Sequence, residues 1–232
     1  MKLHEFNSKW WGKPVGVGNV DDYCALEPEQ RRAMVAEYDW IELRGQPTRQ
    51  QVWCLSDDGF ACVDQQVSFR VGLRARSSSP TSAALAVITA KQEPPLFDLT
   101  KMALFERERF WLLPGVDEAT LQQRFALWGR VLTEESPETC LALVNAERRV
   151  QGWFLSRPDE RGLELTLAML SKDSEISGFH LYERGLAHYG ASHAMGWASF
   201  SGANTAVLNI YARLGASFVS TQQYWLNRPR RT

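Results

Sequence analysis

The sequence predicts a mixed α/β fold with enough apolar residues for one or two cores. The 232 residues are 44% apolar and 23% charged, which is typical of a globular chain. The 11 Phe, 9 Trp and 6 Tyr require buried space and exclude low-complexity disorder. Patterns of strand and helix alternate along most of the chain, and this order is typical of a mixed sheet flanked by helices.

Charge and local composition restrict the class of partner. The formal net charge is −1, so we expect no basic surface for nucleic acid or for an anionic membrane. No apolar run reaches the ~20 residues of a membrane span, and residues 1–5 lack the apolar stretch of a signal peptide. The sequence therefore predicts a cytoplasmic protein without a membrane partner.

The cysteines and histidines show no metal-ligand spacing. The chain has no C-x-x-C pair, and His180, His188 and His193 do not stack on one helix face. We expect no bound metal ion, and buried, reduced thiols at all four cysteines. The cysteines are Cys24, Cys54, Cys62 and Cys140.

A polar segment that contains a proline divides the chain into two unequal pieces. Residues 74–82 lack hydrophobic periodicity, as a linker does. The sequence therefore predicts an α/β piece over residues 1–75, a linker over 76–83 and a larger α/β domain over 84–232.

The front piece has its own order of elements. Pro28 suits the first turn of a helix, and Val67, Phe69, Val71 and Leu73 alternate with other residues as in a strand with one buried face. The expected elements are strands over 10–17, 38–43 and 60–73, and helices over 27–37 and 48–55.

The back piece contains more elements. Leu121, Phe125, Trp128 and Leu132 recur at three- and four-residue intervals and predict an amphipathic helix. The expected strands are 84–89, 139–145, 150–156, 163–171, 194–199 and 218–226. The expected helices are 96–108, 117–132, 178–188 and 205–214, with an apolar loop over 110–115.

A weak repeat links the two pieces. Residues 59–66 resemble residues 215–223, and both stretches follow a short expected helix and begin an expected strand. The repeat and the matching order of elements suggest that the front piece is a truncated copy of the final half of the back domain.

The most informative motif begins at Asn204. Asn204 stands at a helix start, where its side chain can cap free N–H groups or bind a ligand, and Tyr211 lies two turns later on the same face. Gly215 then ends the helix. Spacing alone leaves two interpretations open, a ligand-binding helix or an ordinary capped helix with a packed tyrosine.

The pattern N-x6-Y-x3-G followed by a final strand resembles the last motif of the Gcn5-related N-acetyltransferase (GNAT) superfamily. That resemblance implies the GNAT fold, acetyl-CoA as co-substrate, Asn204 against the acyl-CoA arm and Tyr211 as the acid that protonates the departing thiolate. It also implies that residues 163–171 form a splayed strand that binds pantetheine and supplies an oxyanion N–H, and that a helix beginning at Gly178 binds pyrophosphate. The further cofactor-binding residues that it implies are Leu167, Ala168, Met169 and Ser177.

Other motifs resemble the TDP-fucosamine acetyltransferase subfamily over about 200 residues. These are Trp10-Trp11-Gly12, Gly59-Phe60, Phe105-x3-Arg109-Phe110, Phe125-x2-Trp128 and the ending from Asn204 to Leu226. The resemblance implies a truncated GNAT-like front piece and a small-molecule amine acceptor, such as an amino sugar nucleotide. Arg109, Phe110 and Trp111 are candidates for the acceptor pocket, although Phe110 and Trp111 fit packing beneath a helix equally well.

The expected pyrophosphate loop departs from the family pattern Q/R-x-x-G-x-G/A. Residues 173–178 read Asp-Ser-Glu-Ile-Ser-Gly. Asp173 and Glu175 place negative charge where a pyrophosphate is expected, and Ile176 replaces a glycine that allows close approach of the backbone. Lys172 compensates in part, and we expect weaker CoA binding than is usual for the fold.

Acyl transfer by direct attack needs no covalent enzyme intermediate, in keeping with the absence of a Cys/His or Ser/His signature. The candidate bases are Glu106, Glu108 and a water chain. Two alternatives remain: a GNAT-fold transferase with an aminoacyl-tRNA donor, and a non-catalytic binding module. The net charge and a basic tail of only four residues, 228–231, argue against tRNA. Homodimer formation is also left open.

Overall fold

A ten-stranded mixed sheet runs through the computed structural model, which describes residues 1–227. The basic tail at 228–231 lies outside the described residues. The strands follow the chain in this order: β1 (Lys2–Leu3), β2 (Val15–Asn19), β3 (Trp40–Gly45), β4 (Phe60–Gly72), β5 (Ala86–Thr89), β6 (Cys140–Val144), β7 (Val150–Asp159), β8 (Gly162–Leu170), β9 (Met195–Ser201) and β10 (Ser217–Asn227).

The helices cover the faces of this sheet. They are α1 (Glu5–Trp11), α2 (Val20–Cys24), α3 (Pro28–Glu37), α4 (Arg49–Asp57), α5 (Pro80–Ala83), α6 (Glu118–Glu135), α7 (Gly178–Tyr189) and α8 (Thr205–Arg213). The mixed α/β prediction is confirmed, and most strands and the longer helices lie within a few residues of their expected positions.

Three expectations about local structure are wrong. The segment 96–108 contains short 3₁₀ turns instead of an α-helix, because its backbone pairs with distant residues: the Ala103 N–H donates to the Leu170 carbonyl at 2.9 Å. Residues 10 and 11 end α1 instead of beginning a strand. The expected linker contains α5, whose first turn is capped by the Ser79 side chain.

The order of the sheet shows an exchange of strands between the two halves of the chain. The sheet order is β1-β2-β3-β10-β4-β9-β8-β7-β6-β5. The final strand β10 pairs with β3 of the front half, and β4 of the front half pairs with β9. The two exchanged strands, β4 and β10, also pair with each other, antiparallel, along most of their length.

The two halves share a local topology. In each, two parallel strands, β2 with β3 and β8 with β9, are followed by a helix and a long antiparallel strand. Gly59 and Gly215 stand just before those long strands with φ of 81° and 76°, a conformation that favours glycine. These features agree with the weak repeat in the sequence, while the division into a partial copy and a full domain stays a prediction.

Separate apolar clusters fill the space on the faces of the sheet. One lies under α7 and α8 and contains Phe69, Leu165 and Tyr211, and a second lies under α6. Two more stabilise the front half, and one of these includes Phe110 with Trp111 packed against it. The four cysteines are free thiols, but only Cys140 is fully buried and Cys62 is exposed, so the expectation that all four are buried is wrong.

Candidate functional site

The parallel strands β8 and β9 separate at the centre of the back half. They pair only at Leu163–Gly196 and Glu164–Trp197, at the start of both strands. Just beyond this point β8 uses one residue more than its other neighbour β7, which indicates a β-bulge. The gap between the diverging strands forms the inner cavity, with a volume of about 140 Å³.

The free edge of β8 presents backbone groups to this gap. Ser171 N–H donates to Gln151 of the neighbouring segment at 2.9 Å, whereas the Leu170 carbonyl points the opposite way, toward Ala103. Backbone N–H groups of alternate residues point to the same side of a strand. The N–H groups of Leu167 and Met169 therefore point with that of Ser171 toward β7, whereas Ala168 shares the orientation of Leu170, away from β7. Of the three predicted oxyanion donors, Ala168 therefore directs its N–H into the gap.

The helix α8 closes the inner cavity with the predicted capping motif. The Asn204 side-chain oxygen accepts from the Val207 N–H at 3.1 Å, so Asn204 caps the helix while also lining the cavity. At the other end the Ala216 N–H donates to the Tyr211 carbonyl at 2.9 Å, across the left-handed Gly215. These two caps fix the orientation of the helix face that bears Tyr211.

Tyr211 lies in the wall of the inner cavity and is 3% exposed. Its ring centroid is 3.9 Å from that of Phe69, and the ring meets Tyr182 edge-on at 5.1 Å. Burial raises the pKa of the Tyr211 phenol well above its ordinary value of 10.0, so the hydroxyl stays protonated. Within residues 1–227 no side chain or backbone group bonds this hydroxyl, which is left available to a ligand.

The sequence predicts that two carboxylates of the loop before α7 repel a pyrophosphate, and the structure arranges one of them differently. The Glu175 carboxylate pairs with Arg149 at 2.8 Å and accepts from Asn145 at 3.0 Å, so its charge is compensated on the β6–β7 turn. The Glu175 N–H donates to the Gln151 side chain at 2.7 Å and is not free for phosphate. Ile176 packs against the core cluster under α7.

The predicted residues that follow this loop begin the helix. Ser177 is the residue that precedes α7, and its hydroxyl lies 3.1 Å from Nδ1 of His180. Gly178 is the first residue of α7, where free N–H groups and the helix dipole favour an anion. Asp173 is exposed beside it.

A larger outer cavity of about 480 Å³ adjoins the inner cavity. The two share wall residues from both halves of the chain, among them Gln66 of β4, Thr166 of β8 and Arg109. Arg109 is one of the predicted acceptor residues, and it lies in a buried charge network. Its partners are Glu42 at 3.4 Å, Glu108 at 3.7 Å and Asp64 at 3.9 Å.

Two other predicted acceptor residues are not part of either cavity wall. Phe110 is fully buried and contacts the rings of Trp10 and Trp40, and Trp111 packs against the same cluster. The structure therefore places Phe110 and Trp111 as packing residues, which was the alternative interpretation. Other residues that line the outer cavity were not predicted from the sequence; these include His4, Arg44, Arg124, Arg157 and Tyr224.

The two candidate bases occupy different places. Glu106 is exposed on the surface. Glu108 lines both cavities, and its Oε1 is buried without a hydrogen-bond partner in the described part of the chain. The carboxylate of Glu108 therefore lies between the Tyr211 wall and the outer cavity, where it can accept a proton.

Residues 1–227 were compared with two further kinds of site, a metal centre and a membrane-spanning helix. No cluster of three or more metal-ligating side chains was found there, and none of the helices in that range has the length and hydropathy to cross a membrane.

The splayed parallel strands, the bulged β8 and the capped α8 define the fold of the GNAT N-acetyltransferases. Solved structures with this fold resemble the chain closely in topology but not in sequence. A GCN5-related N-acetyltransferase from Sphaerobacter thermophilus superposes with a TM-score of 0.57 at 11% identity, over 83% of this chain and 60% of that one. The present chain thus corresponds to less than two thirds of that protein.

Two other solved structures are similar. A conserved protein of unknown function from Staphylococcus epidermidis has a TM-score of 0.59 at 10% identity and covers 94% of this chain and 84% of its own. A tandem GNAT protein from the clavulanic acid biosynthesis pathway has a TM-score of 0.53 at 10% identity, and the superposition covers 88% of this chain and 68% of that one. No family model and no curated protein matches the chain by sequence.

Proposed function

We propose that this chain is an N-acyltransferase that moves an acetyl group from acetyl-CoA to the amine of a small molecule, with an amino sugar nucleotide as one candidate acceptor. The observation that supports it most directly is the inner cavity between β8 and β9. There a buried, protonated Tyr211, whose hydroxyl has no hydrogen-bond partner within residues 1–227, shares the cavity wall with Ala168, whose N–H points away from β7.

The wall of the inner cavity supplies two of the three requirements of acyl transfer. The Ala168 N–H is a fixed donor for the oxyanion that develops on the thioester carbonyl. As the new C–N bond forms and the C–S bond breaks, the Tyr211 hydroxyl donates its proton to the departing thiolate, and the proton that the attacking nitrogen loses as the amide forms restores the hydroxyl. Burial raises the pKa of a thiol as it does that of the phenol, so the transfer between them stays feasible.

The third requirement is a neutral amine, and Glu108 meets it best. An ammonium group in the outer cavity can donate to the Glu108 carboxylate, whose Oε1 accepts no hydrogen bond within residues 1–227 and lies 3.7 Å from the Arg109 guanidinium. Proton transfer to this carboxylate leaves the nitrogen lone pair free to attack the carbonyl in the inner cavity. The position of Glu108 in both walls is what distinguishes it from Glu106.

A non-CoA donor remains the second candidate because of the loop before α7. The Glu175 N–H is already bonded to Gln151, which removes one donor from the expected pyrophosphate site. The compensated charge of Glu175 favours CoA, since only Asp173 then opposes the pyrophosphate. Calorimetry with acetyl-CoA separates the two donors directly.

The test is release of free CoA thiol from acetyl-CoA in the presence of a panel of amines, including amino sugar nucleotides. Glu108→Gln should lower kcat by about 10²–10⁴-fold while acetyl-CoA affinity is unchanged. The loss should shrink as pH rises, because the free amine then forms without a base. Glu106→Gln is the matched control and should behave as wild type. Equal turnover of Glu108→Gln and wild type at neutral pH would remove Glu108 from the mechanism, and absence of acetyl-CoA binding would overturn the proposed function.

A further inference from the structure

We propose that Arg124 anchors a terminal anionic group of the acceptor, a carboxylate or a phosphate monoester, in the outer cavity. That the anionic ligand is the acceptor of an acyl group rests on the proposed function. The anion site itself rests on the partners, burial and surroundings of Arg124 alone.

Arg124 is a buried guanidinium without a carboxylate partner. Its residue is 6% exposed, and no ion pair reaches it within the described residues. Nε and Nη2 both donate to the Asn7 side-chain oxygen, at 3.3 Å and 3.2 Å, while Nη1 has no acceptor in residues 1–227. Because Arg124 lines the outer cavity, Nη1 is the part of its fork that a ligand can reach.

The other arginines of this cavity are neutralised by carboxylates. Arg44 and Arg109 share the buried Glu42, and Arg157 pairs with Glu164. Arg124 has an amide in place of a directly bonded acid. Burial together with the positive Arg109 outweighs the opposing effect of the Glu108 and Glu42 carboxylates and lowers the pKa of Arg124 to about 10. An anionic ligand would supply the missing counter-charge, since a buried charge is tolerated when it is paired.

The surroundings of Arg124 favour a compact terminal group over the internal diphosphate of a sugar nucleotide. Asn7 covers one edge of the guanidinium, and aromatic rings with centroids 4.3–5.8 Å from its central carbon surround it. These rings belong to Phe6, Trp10, Phe110, Phe125 and Trp128. A carboxylate or phosphate at the end of a molecule can approach the open edge, whereas a diphosphate would need space for substituents on both sides.

Glu108 and Arg124 therefore provide two separate contact points for the acceptor. Glu108 lines both cavities and suits the amine next to the thioester, whereas Arg124 lines only the outer cavity. This separation fits a small molecule with an amine at one end and an anion at the other, such as an amino acid or an amino sugar phosphate.

Inorganic phosphate, acetate and a nucleoside diphosphate sugar, whose diphosphate is internal, serve as probes in calorimetry and thermal-shift titrations of the full chain. Phosphate or acetate should bind wild type, and the one that matches the acceptor should bind more tightly. Arg124→Gln should weaken that binding at least about tenfold, as expected for loss of a charge-assisted hydrogen bond. Arg130→Gln, an exposed charge change on the same helix, should leave it unchanged.

Several outcomes would overturn the inference. One is anion binding that persists in Arg124→Gln. Another is a nucleoside diphosphate sugar, whose diphosphate is internal, that binds through Arg124 more tightly than both small anions. If Arg124→Gln does not fold, Arg124→Lys keeps the charge but loses the planar fork, and unchanged anion affinity in that variant also counts against the site. Acetyl-CoA is titrated separately, so a chain that binds phosphate through Arg124 but not acetyl-CoA would refute the proposed function and leave the anion site standing.

Discussion

Replacing the Tyr211 hydroxyl by hydrogen separates a catalytic from a packing role for this residue. Tyr211→Phe keeps the ring that contacts Phe69 and Tyr182. In residues 1–227 the hydroxyl has no hydrogen-bond partner to lose, so the free energy of unfolding should change by less than about 0.5 kcal/mol. If Tyr211 is the general acid, kcat should fall by about 10²–10⁴-fold with little change in acetyl-CoA affinity.

A second tyrosine provides the matched control. The Tyr189 hydroxyl lies 2.7 Å from the Thr139 carbonyl and 2.8 Å from the Phe154 carbonyl, and it is buried away from both cavities. Tyr189→Phe should therefore lower stability by about 1–3 kcal/mol through lost hydrogen bonding. For a chain of this size that is a Tm decrease of roughly 2–4 °C per kcal/mol, with kcat preserved at temperatures where the variant is folded.

The assay combines thermal unfolding, calorimetry with acetyl-CoA and thiol release at saturating donor. The two variants should behave in opposite ways. Tyr211→Phe should keep its stability and lose turnover, whereas Tyr189→Phe should keep turnover and lose stability. Normal turnover in Tyr211→Phe would show that the tyrosine only packs. A large Tm decrease in Tyr211→Phe would contradict the description of its hydroxyl as unpartnered.

Two further predictions concern the loop and the buried charge network. Asp173→Arg should increase the affinity for acetyl-CoA about 3–30-fold in calorimetry, since each charge near a helix N-terminus contributes about 0.3–1 kcal/mol. Adding Ile176→Gly should lower Tm, because Ile176 packs in the core. An unchanged affinity in Asp173→Arg would place the donor elsewhere. Burial alone would raise the pKa of the Glu42 carboxyl, but the adjacent Arg109 and Arg44 hold it below its usual 4.5, so stability from this group is present above that pH and is lost as pH falls through the lowered value. Urea midpoints measured against pH should show this acid loss in wild type and a shallower pH dependence in Glu42→Gln, and parallel curves would contradict it.

Local sequence predicted those parts of the structure that local interactions determine. The α8 region follows from a capping residue, a helical apolar period and a glycine stop, and the structure has all three. Residues 96–108 also have helix-like apolar spacing, but their backbone bonds to the end of β8, some 70 residues away. Pairing over such a distance has no local pattern in the sequence.

The candidate site was predictable to the same extent. The residues Leu167, Ala168, Met169, Asn204 and Tyr211, whose roles the family resemblance implies, line the inner cavity. Helix periodicity alone places Asn204 and Tyr211 on one face of α8. Residue spacing does not show which way the side chains of an irregular loop point. For this reason the sequence did not predict that Phe110 and Trp111 pack away from the cavity walls.

The missed residue Arg124 did have a signal. It follows Leu121 by three positions and precedes Trp128 by four, and these intervals place it on the apolar face of α6. A charged residue on a buried helix face needs a partner, and the search for one would have led to the outer cavity.

The exchange of β4 and β10 has a consequence for how the chain is made. β10 is the last strand of the described chain, yet it lies between β3 and β4 in the middle of the sheet. During synthesis on the ribosome the sheet therefore cannot close until residues 217–227 have emerged, and until then β3 and β4 each present an unpaired edge. Such a high contact order predicts slow folding and a dependence on chaperones during synthesis, and it predicts that a nonsense mutation before Ser217 yields aggregate instead of a shortened folded protein.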